Sequence, residues 1–165
     1  MATVIRGDDN FDTAYLKAIA ILADVKSTGV DGGTSVVGWQ DRDLNTELSD
    51  SQNLVTLSSN QFTIQAGKYL IEWSSPAYKS SEHNTNLYNV TTSSVEAEGE
   101  SGFAWSGDNT MTRSAGTAIV AISVATAFKI RHYLTSAHTT GLGVWTTSGQ
   151  GNSVFTRVII HKIGA

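Results

Sequence analysis

The stretch NQFTIQAGKYLIEWSSPAY, residues 60–78, decides the interpretation of the fold, because apolar and polar side chains alternate on both sides of a turn signal. Ala66-Gly67 supplies that turn. The apolar members of the alternation are Phe62, Ile64, Tyr69, Ile71 and Trp73. A period of two places successive side chains on opposite faces of a strand. The pattern therefore predicts a β-hairpin with one face on a core and with Pro76 just past its end, where a missing N–H matters little.

Length and composition limit the classes of protein that this chain can belong to. With 165 residues it is long enough for one domain with a sizeable core and too short for two. It has no cysteine, which excludes disulfides and cysteine-ligated metals and suits a reducing cytoplasm. Its 11 basic and 15 acidic residues are scattered, so nucleic acid is not an expected partner. Neither a signal peptide nor membrane insertion is expected, because no apolar run is long enough.

Residues 14–25, AYLKAIAILADV, fit two structures equally well. Their alanines and leucines favour a helix, whereas a period of two gives two largely apolar faces, as in a buried strand. Residues 91–110 are polar and are predicted to form a long loop. Further short strands are predicted at 35–40, 43–48, 54–57 and 84–90.

The last third of the chain carries the clearest strand patterns. Alternation predicts strands at 118–124 and 128–134, and residues 154–163 carry apolar side chains on both faces. A terminal strand of this kind is predicted to lie in the middle of a sheet. The segment between the last two strands, residues 135–153, is polar and glycine-rich and is predicted to be a surface loop.

Several segments, taken in order, resemble one family. The most specific are RDLNT at 42–46, QAGKYLIEWSSPAY at 65–78, and the glycines Gly141 and Gly143 ahead of the last strand. Together they resemble phage virion proteins of the tail-fibre or head-decoration kind, whose jelly-roll domain is similar to tumour necrosis factor and to the globular head of complement first component. The resemblance covers nearly all of residues 14–165. It departs at Leu142, where phage relatives tend to carry an aromatic, and the surrounding loop is remodelled.

The resemblance implies an all-β fold, an antiparallel ten-strand jelly-roll sandwich of the tumour-necrosis-factor-like type that assembles as a homotrimer. It divides the chain into an N-terminal attachment arm, residues 1–13, and a jelly-roll domain, residues 14–165, and it favours a strand for residues 14–25. Strands that are apolar on both faces agree with a trimer, since the second face then packs on a neighbouring subunit. The candidate contacts of the arm are Asp8, Asp9 and Phe11.

The residues point to no catalytic centre and to no cofactor or metal. The four histidines lack metal-ligand spacing, and no G-x-S-x-G segment occurs. The GDDNFD run, residues 7–12, lacks the ligand spacing of a calcium loop, so a solvated turn is the favoured interpretation. His132 falls on an apolar face, as a hydrogen-bonded histidine of the core or of an interface. The candidate residues of the trimer interface are His132 and Tyr133.

Three aromatic residues stand in polar or glycine-rich surroundings, namely Phe103, Trp105 and Trp145. Exposed loop aromatics can form a platform for sugar rings, and they can also plug the end of a jelly roll. The plug is the favoured interpretation for each residue taken separately, and the three are the candidate ligand-binding residues if the platform is formed instead.

The function predicted from these observations is a non-enzymatic bacteriophage virion structural protein. It would be a trimeric jelly-roll module on a tail fibre or on the capsid surface, made in the bacterial host cytoplasm and binding host-surface glycans through avidity. The alternative is a purely structural capsid decoration or cementing protein, attached through its N-terminal arm. The expected partners are copies of itself, other phage virion proteins and host-surface glycan.

Overall fold

The structure is a computed structural model that describes residues 18–146 and 151–165. These residues form twelve β-strands and no helix. In chain order the strands are β1 (Ala18–Lys26), β2 (Gly38–Asp41), β3 (Thr46–Ser49), β4 (Val55–Ser58), β5 (Gln61–Ile64), β6 (Gly67–Tyr78), β7 (Ser81–Asn89), β8 (Ser94–Glu98), β9 (Gly102–Ala104), β10 (Met111–Ile122), β11 (Thr126–Leu134) and β12 (Ser153–Gly164).

The strands form two antiparallel sheets that share one core, which confirms the predicted all-β sandwich. The five-stranded sheet has the order β10-β6-β12-β1-β3. The seven-stranded sheet has the order β4-β5-β11-β7-β8, with β2 also paired to β11 and β9 to β7. The last strand, β12, lies between β6 and β1, as its two apolar faces predict.

The described part of the ambiguous first segment, from Ala18 onward, is a strand. β1 pairs with β12, and its Ala20 and Leu22 side chains point into the core, where both are fully buried. Ile19 and Ile21 lie between the inward residues and point to the opposite face. Both faces are apolar because one packs on the core and the other forms an outward surface of the sheet.

The predicted β-hairpin at residues 60–78 is wrong. β5 belongs to the seven-stranded sheet and pairs with β4 and β11, whereas β6 belongs to the five-stranded sheet and pairs with β10 and β12. The turn therefore carries the chain from one sheet to the other. Two facing strands that bury apolar side chains in a shared core show the same alternation as two paired strands, so the period alone does not separate the two arrangements.

Pro76 lies inside β6, not past its end. It is opposite Arg113 of β10, at a point where the pairing of β6 with β12 has already stopped at Ser74. A missing N–H at this point removes no bond to β12, which explains how a proline is tolerated there.

The strand count exceeds ten because residues 91–110 are not wholly a loop. They contribute β8 and β9, two short strands that both pair with β7. β8 is mostly exposed and β9 has only three residues, of which Ala104 is buried, so neither shows the apolar alternation that identifies a strand in sequence.

The core between the sheets is built on stacked aromatic and aliphatic side chains. The Phe62 and Phe128 rings stack with their centres 5.8 Å apart. The indole N–H of Trp73 donates to the Thr85 hydroxyl across the core at 2.8 Å. Trp73 also requires Gly116 in β10, because a Cβ there would stand 2.0 Å from the ring. Burial of such side chains contributes roughly 25 cal/mol per Å² of apolar surface removed from water.

The segments that carry the family resemblance meet at one buried arginine. Arg42 is fully buried, and its guanidinium donates to the carbonyl oxygens of Leu142 at 2.8 Å and Pro76 at 3.3 Å. Its Nε donates to the Thr156 hydroxyl at 2.8 Å. Burial lowers the pKa of Arg42 to about 10, while the nearby Asp24 carboxylate favours the charged form. Arg42 thus ties RDLNT, the β6 segment and the loop before β12 together.

Candidate functional site

The outward side of the five-stranded sheet is an apolar surface with no partner among the described residues. Cross-strand register places Ile19, His161, Leu70 and Ile119 in one row. The neighbouring row is Ile21, Ile159, Glu72 and Thr117. We call the five aliphatic residues of these rows the isoleucine face: Ile19, Ile21, Leu70, Ile119 and Ile159.

The isoleucine face is exposed most strongly at the β10 edge. Ile119 is 64% exposed, although it lies in the middle of a twelve-residue strand. A hollow of about 240 Å³ opens on the same side of the sheet, lined in part by Trp73, Gly116 and Thr117. An exposed apolar side chain beside a hollow of this size can fit an apolar side chain of another protein surface.

A histidine and a glutamate lie within the isoleucine face. His161 Nε2 is 3.5 Å from a carboxylate oxygen of Glu72. The other ring nitrogen of His161 is buried and has no hydrogen-bond partner in the described part of the chain. His161 therefore lies on the outward side of the sheet, and it was not among the site residues predicted from the sequence.

His132 is not available to a neighbouring subunit, so the structure contradicts its predicted place in a trimer interface. Its side chain is fully buried, because β11 turns it into the core of its own chain. Its Nε2 lies 3.0 Å from Nδ1 of His83, and His83 Nε2 lies 2.8 Å from the Thr112 hydroxyl. Burial lowers the pKa of His83 to about 4 and that of His132 to about 2.

Tyr133, the other predicted interface residue, is exposed but points away from the isoleucine face. It lies on the outward side of the seven-stranded sheet, where its ring contacts Trp39 edge-on with the ring centres 5.4 Å apart. The two sheets face each other across the core, so Tyr133 and the isoleucine face lie on opposite sides of the molecule.

The three candidate ligand-binding aromatics do not form one site. Phe103 in β9 and Trp105 just after it are 52% and 56% exposed, so neither plugs the end of the sandwich. Trp145 lines a separate cavity of about 350 Å³ with Met111 and Arg113, and its backbone N–H donates to Asp31 at 2.6 Å. Among the described residues, no ring contact joins Trp145 to the other two.

Some predicted features fall outside the described residues or find no candidate within them. The arm with Asp8, Asp9 and Phe11 and the GDDNFD run lie outside. Over residues 18–146 and 151–165 no group of three or more acidic or histidine side chains is placed to hold a metal ion. That part of the chain also contains no helix long and apolar enough to cross a membrane.

Comparison with known proteins shows the fold. No family model and no curated protein sequence matches the chain. Among solved structures, the globular domain of zebrafish complement 1qA is similar with a TM-score of 0.57 at 12% identity, over 88% of this chain and 97% of that one. Murine APRIL at pH 8.0 matches with 0.56 at 7% identity, over 87% and 98%. Eiger TNF from S. frugiperda matches with 0.56 at 11% identity, over 88% and 91%.

These likenesses extend over most of the chain at very low identity, so they are evidence of architecture. The chain has a jelly-roll fold of the kind seen in tumour necrosis factor and in the complement globular head. Because a fold does not determine a function, the function is inferred from the surfaces of this chain.

Proposed function

We propose that the chain is a non-enzymatic virion structural protein of a bacteriophage. It works as a homotrimeric jelly-roll module on a tail fibre or capsid surface and carries binding sites for host-surface glycan. The isoleucine face is the observation that carries the proposal, because an exposed aliphatic surface of this kind is covered when copies of the chain associate.

The chemistry of the isoleucine face favours a second copy of the chain as its occupant. Five aliphatic side chains stand in two adjacent rows across the neighbouring strands β1, β12, β6 and β10, and Ile119 is the most exposed of them. The hollow at Gly116 lies on the same face, so every copy carries both the protruding Ile119 side chain and a hollow that can receive it. Removal of such a face from water supplies stability to a chain that has no cysteine for disulfides. A trimer requires heterologous contacts, in which Ile119 of one copy enters the hollow of the next copy, and such contacts close into a ring when the rotation permits.

The phage assignment rests on the sequence resemblance. Its three most specific segments converge on Arg42, so their residues act together to hold this fold. The non-enzymatic assignment rests on the sequence, in which no G-x-S-x-G segment occurs and no set of acid, base and nucleophile stands out.

The self-association proposal is tested by substitution at the isoleucine face. Ile119→Asp places a charge on the proposed interface, and we expect the mass in solution to fall from three chains to one. Val37→Asp is the matched control, because Val37 is also 64% exposed but lies in the loop before β2 of the other sheet. Sedimentation velocity of the two variants beside the unaltered chain provides the measurement. Equal masses for all three proteins would contradict the proposal.

The second candidate is a purely structural decoration or cementing protein that attaches through residues 1–13. It differs from the first in having no glycan ligand. A chain that lacks residues 1–13 separates the two: a cementing protein loses particle binding and shows no glycan binding in either form, whereas a glycan-binding module keeps its glycan after the truncation.

A further inference from the structure

The outward side of the seven-stranded sheet gathers aromatic rings around one arginine. Lys129, Arg131 and Tyr133 point outward from β11 because the residues between them point into the core. Register places Tyr133 opposite Trp39 in β2 and Arg131 opposite Asn86 in β7. We call this cluster the aromatic-arginine face: Trp39, Asn86, Tyr88, Arg131 and Tyr133.

The guanidinium of Arg131 stacks on two rings and is left without a polar partner. Its Cζ lies 4.9 Å from the ring centre of Trp39 and 4.6 Å from that of Tyr88. Asp41 stands directly opposite Arg131, yet its carboxylate binds the Lys129 ammonium at 2.9 Å. Across the described ranges, no group accepts a hydrogen bond from the Arg131 side chain. The planar guanidinium of Arg131 is therefore positioned by the two rings, and its N–H donors have no acceptor.

Asn86 gives an independent sign of a missing partner on the same face. It is only 1% exposed, and neither its amide oxygen nor its amide nitrogen has a hydrogen-bond partner in the described chain. Register places it between Arg131 and Glu98 on the outward side of the sheet. Buried amides are nearly always hydrogen-bonded, so an unpaired one beside an unpaired arginine marks a place for a ligand.

The rest of the face suits a sugar ring. Trp39 and Tyr133 are 38% and 36% exposed and touch edge-on, which gives an apolar platform at the surface. Next to it, the Asn84 amide donates to the Glu98 carboxylate at 3.4 Å. Amides and carboxylates at the border of an aromatic platform can bind the hydroxyl groups of a ring that lies on it.

We propose that the aromatic-arginine face binds an acidic sugar, a pyranose ring that bears a carboxylate. The carboxylate takes two N–H donors of Arg131, and the ring lies on Trp39 and Tyr133. The unpaired amide of Asn86, opposite Arg131 in the register, supplies a further hydrogen bond to the ligand. Glu98 repels a second negative group, so the face prefers singly charged sugars to sulfated polyanions.

This inference deepens the glycan-binding part of the proposed function but does not rest on the trimer. The aromatic-arginine face and the isoleucine face belong to different sheets. The Ile119→Asp protein is therefore expected to keep its intrinsic affinity for the sugar, so a failure of self-association and a failure of sugar binding are separate results.

The test is a calorimetric titration of the full chain with sialyllactose, with lactose, and with sodium acetate at equal ionic strength. We expect sialyllactose to bind at least tenfold more tightly than either lactose or acetate. Arg131→Gln is expected to remove that tenfold preference, and Trp39→Ala to weaken sialyllactose by a similar factor. Lys79→Gln is the matched control and should change nothing, because Lys79 stacks on the Tyr78 ring at 5.6 Å outside the cluster.

Three results would overturn the inference. Equal affinity for sialyllactose and lactose would show that no carboxylate is recognised, and this comparison needs no variant. Acetate binding as tight as sialyllactose would show a simple anion site without a sugar platform. Sialyllactose affinity unchanged in Arg131→Gln, with the variant's folded state verified by its urea midpoint, would place the sugar elsewhere.

Discussion

The outward faces of the two sheets differ in chemistry although the inward faces of both sheets line one shared core. The isoleucine face is aliphatic, and the polar contact beside it is that of His161 Nε2 with a Glu72 carboxylate oxygen at 3.5 Å. The aromatic-arginine face instead carries rings, an unpaired arginine and an unpaired amide. In each strand, the side chains that point inward specify the sandwich, while the side chains that point outward specify what the surface can bind.

The largest expected effect comes from removing the residue that supports both faces. Arg42→Met removes the guanidinium donors from the Leu142 and Pro76 carbonyls and the Nε donor from the Thr156 hydroxyl, and leaves Lys26 as the charged partner of Asp24. We expect the free energy of unfolding to fall by about 3–5 kcal/mol, measured by urea denaturation. Arg157→Met is the control, since Arg157 is exposed and its side chain makes no hydrogen bond among the described residues, and it should lose less than about 1 kcal/mol. A loss from Arg42→Met as small as that of the control would contradict the account.

A smaller effect, confined to one face, is expected from Gly116→Ala. The new Cβ meets the Trp73 ring beneath the isoleucine face, and overpacking of this kind lowers stability by about 1–3 kcal/mol. The new Cβ points into the core and does not fill the hollow, but the Trp73 residue that it displaces lines the hollow together with Gly116, so self-association should weaken while sugar binding is unchanged. Gly29→Ala serves as a comparison, because nothing lies within 4 Å of a Cβ there, although its φ of 85° adds some strain. Weakened sugar binding without weakened association would reverse the assignment of the two faces.

The pH dependence of stability is expected to follow the shared core and not either face. The pKa values of His83 and His132 are depressed to about 4 and about 2 in the folded chain, below the ordinary 6.5. The unfolded chain thus binds more protons, and the stability is complete above pH 6.5 and falls as the pH drops from 6.5 toward 4. Each histidine contributes up to about 1.4 kcal/mol per pH unit in that window.

Urea midpoints at pH 7.5 and pH 5.0 measure this loss. His132→Gln should show a smaller difference between the two midpoints than the unaltered chain, whereas His138→Gln, in the loop after β11, should leave the difference as it is. A midpoint that rises on acidification would contradict the assigned direction.

The smallest expected effect is on the aromatic-arginine face alone. Tyr133→Leu removes the edge contact with Trp39, and a cross-strand aromatic pair contributes about 0.5–1 kcal/mol. The mass in solution should not change, because Tyr133 lies on the side opposite to the isoleucine face. A change of mass with Tyr133→Leu would return Tyr133 to the role in an interface that its sequence position suggested.

The sequence predicted the sandwich and its central last strand because a period of two is a direct consequence of strand geometry. It did not distinguish a hairpin from a crossing between sheets at Ala66-Gly67, since both give the same alternation. It also missed β8, which is mostly exposed, and β9, which is only three residues long, because neither shows apolar alternation.

The candidate site was less predictable than the fold. The alternation in FKIRHYL already places His132 inward and Arg131 outward, and it could have separated the core histidine from the surface arginine. The contact of Arg131 with Trp39 depends on register between distant strands, which no local pattern specifies. The same holds for the row that joins Ile19 to Ile119.

The central claim is that the isoleucine face joins copies of this chain, and the most direct measurement is the mass of the purified full chain by light scattering over a range of concentrations. The account predicts a mass of three chains that persists on dilution into the micromolar range. A mass of one chain at every concentration would contradict it, because the isoleucine face would then stand open to water with no second copy to cover it.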